Sequence, residues 1–455
     1  MTVTRRATLL LATTLAAVTT VPASAQDTGR MEQVVETEAD AGTFMGAVLV
    51  AKDGEVLLNR AWGMADLEWS TPNTALTKFR IGSVTKQFTA VAILLLQEQG
   101  KLSLDDPISR HMEGTPEAWE AITLRHLLHH TAGLPNVTSL DGFGRLKYLP
   151  TTQDELIATF SDLPLEFEPG SKWKYSNSGY VLLSRVVANA SGETYSDFIR
   201  ANLLDPLDMK ETGLDRSDVV LLKRAAGYSP SSTGVVNADY VDMGIPTGAG
   251  AMYSTTGDLL KWQRGVYGGQ VLSAESLAQY TTPSPLDAVG EDKYALGIIV
   301  EDDEDGKAYY HGGGIEGFNA WLGYDPEEKA TVVVLANLNG GAASQLGGKL
   351  MQLARGAEVT LPSERVATEL APADFAQFEG VYAIAPAFKI TIFQDGGKLM
   401  AQGTGQPASE IFAEGPDRFF LKVVDAQLRF DRDENGDVNA LTLFQGGRET
   451  PAPKE

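Results

Sequence analysis

Between residues 46 and 66 the apolar positions fall into two short runs, Ala47-Val48-Leu49-Val50-Ala51 and Val56-Leu57-Leu58. They flank Lys52-Asp53-Gly54-Glu55. Asp-Gly between two apolar runs signals a tight turn, so this stretch predicts a β-hairpin. The rhythm then changes. From 83 to 99, Phe88, Val91, Ala92, Leu95 and Leu96 recur at helical spacing, and Ile93 and Leu94 carry the apolar face almost all the way round. A helix with that pattern belongs in a core. Gly100 stands where it would end the helix. Residues 105–285 predict a mostly helical, loop-rich region, with helices over 124–130, 154–160, 180–191, 195–204 and 254–267. Strand patterns return after Lys293, over 294–300, 308–311, 318–324 and 331–337. The acidic run Glu301-Asp302-Asp303-Glu304-Asp305-Gly306 between two of these reads as a solvated hairpin turn.

Strands at both ends with helices between them predict one sheet assembled from distant parts of the chain, with a helical subdomain inserted. A polar, flexible stretch over 356–372 reads as a linker. Beyond it, 373–455 reads as short strands with Gly and Asp turns, a small accessory β domain.

Composition sets limits on this picture. The chain has 455 residues, enough for several domains, with 43% hydrophobic and 21% charged residues. That excludes disorder and fibrous repeats. The net charge of −23 repels nucleic-acid phosphates and anionic lipid headgroups. Arg5 and Arg6, the apolar stretch 7–21 and Ala23-Ser24-Ala25 read as an export leader over 1–25, so a mature chain is expected to start near Gln26. The apolar stretch is too short to span a bilayer. The arginine pair followed by Leu9-Leu10 also hints at twin-arginine export. The expected location is periplasmic or secreted. With no cysteine, the chain has no disulfide and no thiol nucleophile.

Three segments carry chemistry. In Ser83-Val84-Thr85-Lys86 the hydroxyl and the amine are three apart at a helix start, on one face. The free N–H groups of a helix start suit a developing oxyanion. A serine needs a base beside it, and a lysine in a dry site loses its proton readily. Tyr175-Ser176-Asn177, after Pro169-Gly170, places a phenol that is a second candidate proton acceptor and an amide able to bond both Lys86 and a substrate. His311-Gly312-Gly313-Gly314 ends a strand, where missing side chains let a substrate lie along the edge. Backbone donors from Ser83 and Gly314 would form an oxyanion hole.

Taken together, S-x-x-K, Y-x-N and a Gly-containing strand box resemble the serine β-lactamase and penicillin-recognising enzyme superfamily. The Y-x-N form resembles its class C β-lactamase, D-aminopeptidase and carboxylesterase branch. Phe79-Arg80-Ile81-Gly82, the segment from Ile122 through Pro135, Pro206-Leu207-Asp208-Met209, Gly248-Ala249-Gly250 and Tyr294-Ala295-Leu296-Gly297 are similar to that branch as well. The resemblance covers about residues 35–350. It implies an α+β sandwich, an antiparallel sheet flanked by helices with an inserted helical subdomain, and a small C-terminal β-barrel-like domain. It also implies an exported serine hydrolase that cleaves small amides or esters through an acyl-enzyme on Ser83. Ser83, Lys86 and Tyr175 would be catalytic; Asn177, His311, Gly312, Gly313 and Gly314 would bind substrate or oxyanion. A β-lactamase and a non-catalytic cell-wall peptide binder are the alternatives. His311 replaces the permanently charged lysine of Lys-Thr-Gly, which weakens the grip on a β-lactam carboxylate.

Other signals carry less. Gly312-x-Gly314-x-x-Gly317 precedes a strand pattern where a dinucleotide fingerprint needs a helix. His126 and His130, four apart, lack the neighbouring Glu of a helical zinc motif. Asp431-x-Asp433-x-Asn435-Gly436 has Thr442 where a calcium loop needs Glu. No metal or cofactor is expected. The expected partner is a small-molecule or peptide substrate, with no nucleic acid and no integral membrane segment once the leader is removed.

Overall fold

Two strands from the start of the chain and six from far downstream share one sheet. The computed structural model describes residues 23–289, 292–304, 306–385, 388–445 and 448–455. Strands β1 (Gly46–Lys52) and β2 (Glu55–Trp62) join β3 (Asp287–Val289), β4 (Asp292–Tyr294), β5 (Ile299–Asp303), β6 (Gly306–Ile315), β7 (Phe318–Asp325) and β8 (Ala330–Ala336). The order is β3-β4-β5-β6-β7-β8-β1-β2, and each neighbouring pair is antiparallel. The β1–β2 turn is the expected one. Asp53 and Gly54 have φ of 47° and 84°, the left-handed pair that matches the strand twist. Of the acidic run expected as a hairpin turn, Glu301, Asp302 and Asp303 belong to β5 and pair with Ala308, Lys307 and Gly306 of β6, so the antiparallel pairing reaches the end of the run; Asp305 lies outside the described residues.

Apolar runs in the central strands are unbroken because both faces are covered. On β1, Ala47, Leu49 and Ala51 face the main core, while Val48 and Val50 face a second cluster on the other side. That outer cluster is closed by α1 (Ala23–Asp40) and α5 (Ala342–Ala354), through Met31, Val34, Val35, Leu346 and Leu350. The inner side holds α2 (Thr85–Glu98), α3 (Asn177–Ser191) and α4 (Thr256–Tyr267). Helix α2 is the most enclosed, and Phe88 stacks on Trp262 with ring centroids 3.9 Å apart.

Some expected elements are shorter or broken. The helix expected from Ser83 starts at Thr85, after a 3₁₀ turn over Gly82–Val84 that holds the serine. The helix expected over 124–130 stops at Leu128, and His130 turns left-handed with φ 59°. The strand expected over 294–300 divides into β4 and β5 at a turn in which Ala295 N donates to Ile298 O and Gly297 has φ 77°. The 195–204 helix continues past Ile199 as a wider π-type turn over Arg200–Leu204.

The C-terminal sheet has eight strands, from Gly380–Ala385 to Arg448–Pro453, ordered along the sheet as in the chain. A bridge between Tyr382 and Lys454 brings the last strand back to the first, so the sheet forms a nearly closed barrel. Phe378, Tyr382, Leu399, Phe419, Phe430 and Leu441 fill it. The stretch 356–372 between the two sheets is mostly exposed but is anchored at several points. Val359 and Leu361 are buried in the outer cluster, Arg30 donates to the Val359 carbonyl, and Thr368 N donates to Ala413 O of the barrel at 2.8 Å. The segment expected as a leader, 1–25, lies outside the described residues except for 23–25, which begin α1. Cleavage after Ala25 would remove part of that helix's first turn, whose N–H groups lack intrahelical acceptors in any case. Among the described residues, no helix is long and apolar enough to cross a membrane.

Candidate active site

The chain approaches Ser83 under tight control. Phe79–Arg80 pairs with Met252–Ser254, and Ile81 N donates to Met252 O at 2.9 Å. Gly82 then takes φ 49°, a left-handed turn that favours glycine, and passes beside β6. A Cβ on Gly313 would stand 2.0 Å from Ile81 O and 3.3 Å from Ser83 N. Gly313 is therefore required by the contact between strand and serine turn. This refines the expectation that the glycines leave room for substrate: a Cβ on Gly312 would make only ordinary contacts, with Ala320 O at 3.8 Å and Ser344 Oγ at 4.0 Å, whereas the place of a Gly313 Cβ is filled by the protein's own backbone. Strand β5 last pairs with β6 at Ile299 and Tyr310. From His311 to Ile315, β6 has a strand partner on one side only among the described residues, and Gly314 lines the cavity on the other.

Lys86 is fully buried, and its amine donates to Ser83 Oγ at 3.0 Å, Asn177 Oδ1 at 2.9 Å and Ala249 O at 2.8 Å. Burial pushes its pKa well below the ordinary lysine value. The surroundings suit either protonation state. An ammonium donates to all three oxygens; a neutral amine donates to Asn177 and Ala249 and accepts from the hydroxyl. Tyr175 Oη donates to Ser83 Oγ at 2.9 Å. Burial raises the phenol pKa, and the bond to Ser83 offsets this only in part. The tyrosine is thus a protonated donor at rest. Lys86 also lies 4.8 Å from the Tyr175 ring centroid and 5.4 Å from that of Tyr180.

Asn177 opens α3. Its amide N donates to Asn136 Oδ1 at 3.0 Å and its Nδ2 to Thr138 Oγ1 at 3.1 Å. Hence Ser83, Lys86, Tyr175 and Asn177 meet at one point, and Gly314 stands beside Gly82: a Cβ on Gly82 would lie 2.8 Å from Gly314 N. His311 differs from expectation. Its side chain is buried, with Nε2 3.0 Å from Tyr294 Oη and Nδ1 2.5 Å from Gly312 O. A carbonyl only accepts, so Nδ1 carries the proton and Nε2 accepts from the tyrosine. Burial, helped by the nearby Lys86, pushes its pKa down to about 3. The ring is neutral and both nitrogens are engaged within the protein, so it presents no charge to a substrate.

Beside Ser83 opens a cavity of about 470 Å³. Its walls are largely apolar, including Val137, Phe143, Val181, Val241, Ile245 and Ile315; among its lining residues, Glu316 alone is charged. Glu316 pairs with Lys147 at 3.0 Å, and Lys147 also reaches Asp239 at 2.7 Å. Several contributors gave no local signal in the sequence. The Ala249 carbonyl is main chain, and Thr138 and Tyr294 act through partners distant in sequence. Only the family-like Gly248-Ala249-Gly250 and Tyr294-Ala295-Leu296-Gly297 stretches drew attention to two of them.

Comparison with known proteins covers both parts of the chain. Residues 31–355 match the family described as Beta-lactamase, and residues 364–452 match one described as a domain of unknown function, DUF3471. Penicillin-binding protein 4* of Bacillus subtilis is 26% identical over 449 residues, spanning 93% of this chain and 97% of its own. The octameric penicillin-binding protein homologue from Pyrococcus abyssi superposes with a TM-score of 0.66 at 27% identity, over 94% of this chain and 100% of that one. D-amino acid amidase from Ochrobactrum anthropi, solved with L-phenylalanine, superposes with a TM-score of 0.63 at 25% identity, over 72% of this chain and 97% of its own. A match that spans more than two thirds of the chain and takes in every residue of the site means that this protein belongs to the β-lactamase family of serine hydrolases.

Proposed function

We propose that the protein is an exported hydrolase that cleaves small amides or esters through an acyl-enzyme on Ser83. The observation that carries this reading is the position of Ser83 Oγ between Lys86 Nζ at 3.0 Å and Tyr175 Oη at 2.9 Å. The amine is pushed toward its neutral form and the phenol toward its protonated form, so Lys86 is the base and Tyr175 the donor. Lys86 takes the hydroxyl proton as Oγ bonds to the substrate carbonyl carbon. The Ser83 and Gly314 N–H groups hold the oxyanion. The carbon–nitrogen or carbon–oxygen bond then breaks, and the leaving group departs with a proton supplied through Tyr175. Water adds to the ester, returns a proton to Oγ and releases the acid. Asn177 orients Lys86.

The cavity supports a substrate with an apolar acyl side chain and no carboxylate at the reacting end. Its one charged lining residue is an acid, Glu316, and His311 is neutral, so nothing on its walls offers a cation to a β-lactam carboxylate. The amidase among the similar structures fits amide cleavage. In this reading, 1–25 is the export leader, 26–355 the catalytic domain, 356–372 the connection and 373–455 an accessory β domain.

The test is labelling with a fluorophosphonate followed by peptide mass spectrometry, alongside rates on a p-nitrophenyl ester, an amino-acid amide and nitrocefin. A Ser83 adduct, with ester and amide turnover well above nitrocefin turnover, is expected. An intact protein with neither adduct nor turnover would sink the reading. Cell-wall peptide binding unchanged by Ser83→Ala would instead favour a binding protein.

A further inference from the structure

Directly behind Tyr175 stands a residue that the mechanism above does not use. His130 is 3% exposed and is one of few non-glycine residues in a left-handed conformation, with φ 59°. Such a backbone is costly and is kept where the surroundings require it. Here it turns two groups of one residue onto the same stretch of chain. The His130 carbonyl accepts from Lys174 N at 3.0 Å, and the His130 ring Nδ1 accepts from Ser176 N at 3.3 Å. These are the residues on either side of Tyr175. The imidazole itself lies against the phenol ring, with centroids 4.2 Å apart.

A main-chain N–H can only donate, so Nδ1 is unprotonated and the neutral ring carries its proton on Nε2. Nε2 has no hydrogen-bond partner among the described residues. The ring therefore makes no second polar attachment that would explain its place, and its polar contact serves Ser176. The backbone carbonyl and the ring acceptor both hold peptides that flank Tyr175, and of the rings around the imidazole that of Tyr175 lies nearest, at 4.2 Å, with Tyr294 at 4.7 Å and Tyr180 at 5.2 Å.

We infer that His130 is the positioning residue for Tyr175: a two-point clamp on the flanking peptides, backed by ring contact, that fixes the phenol at hydrogen-bond distance from Ser83 Oγ. The inference rests on the proposed role of Tyr175. A misplacement of about 1 Å at a reacting group costs on the order of 100-fold in rate, so the clamp is read in kcat.

The test is a double-mutant cycle on the full chain, with ester hydrolysis and thermal melting measured together. His130→Gly keeps the left-handed backbone without strain but removes the ring; His130→Asn places a carbonyl oxygen near the Nδ1 position in a residue that tolerates this backbone. His130→Gly is expected to lower kcat about 100-fold with KM held within about 3-fold, and His130→Asn to recover about 10-fold of that loss. In a Tyr175→Phe background, His130→Gly should cost less than about 3-fold, because the group it positions is gone. Should His130→Gly fail to fold, the same cycle is run with His130→Asn, which lacks the ring contact and is expected to lose about 10-fold, again only when Tyr175 is present. Full kcat in folded His130→Gly, an Asn variant no better than Gly, or equal losses in both backgrounds would overturn the inference. Full activity of Tyr175→Phe alone would remove the tyrosine's role and the clamp's purpose with it, an outcome separable from the other three.

Discussion

Two eight-stranded sheets lie in this chain, and they are built in opposite ways. In the C-terminal barrel every strand pairs with its neighbour in sequence, and one apolar face turns inward. In the main sheet β1 pairs with β8, so that Gly46 lies opposite Ala336, and both faces are buried. Local pairing closes short loops at little entropic cost; long-range pairing must close nearly the whole family region at once. The long-range sheet gains something in return. It brings the serine turn, the 175–177 loop and β6 together, which a meander cannot do for segments so far apart in sequence.

Perturbations should separate the two sheets. The largest effect is expected from Ser83→Ala, which should lower ester hydrolysis by more than about 1000-fold while leaving the melting temperature of the protein nearly unchanged. Gly313→Ala comes next. The added methyl would meet Ile81 O at 2.0 Å, so the serine turn must shift, and a fall in fluorophosphonate labelling of about 100-fold is expected. Labelling at the normal rate would show that β6 does not define the turn. In the barrel, Leu441 is fully buried, and Leu441→Ala should cost about 2–5 kcal/mol in denaturant unfolding. The activity of the folded protein should stay the same; a matching loss of kcat would show that the barrel and the site are coupled.

Acid should also act unequally. All five histidines precede residue 356 and none lies in the barrel. Burial holds His311 down to about 3 and His129 down to about 4. In the unfolded chain both bind protons near the ordinary value of about 6.5, so the unfolded state takes up protons first as pH falls. Stability of the main region is therefore lost progressively below about pH 6.5 and down through pH 4 to 3. Hydrogen exchange at pH 7 and pH 4.5, corrected for intrinsic rates, should show a larger loss of protection in β6–β8 than in the barrel. The smallest effect is expected at Gly415, where a Cβ meets nothing within 4 Å; Gly415→Ala should change stability by less than about 0.5 kcal/mol.

Much of the site was legible because its parts are local. A serine and a lysine three apart at a helix start share a face wherever the helix lies, and Asp53-Gly54 selects its turn without outside help. The outer layer was less legible. Helix α1 carries Met31, Val34 and Val35 at helical spacing but adjoins the segment expected as a leader, and α5 contains Gly347 and Gly348, which lower helix propensity. Both form because the outer face of the sheet needs cover. In the sequence His130 offers only its spacing from His126 and its place in the family-like 122–135 segment, and nothing in its neighbours announces a left-handed backbone.

The sequence alone determined the identity of the chemical groups, their local spacing and the hairpin and buried helix that frame them, since these depend on residues a few positions apart. Tertiary structure alone decided which groups face one another and with what proton affinity. It gave Lys86 a carbonyl of Ala249 as an acceptor, made Tyr175 a donor, and turned His311 inward as a neutral ring. The reason is that desolvation and hydrogen bonding set a side chain's charge, and both are properties of the assembled surroundings.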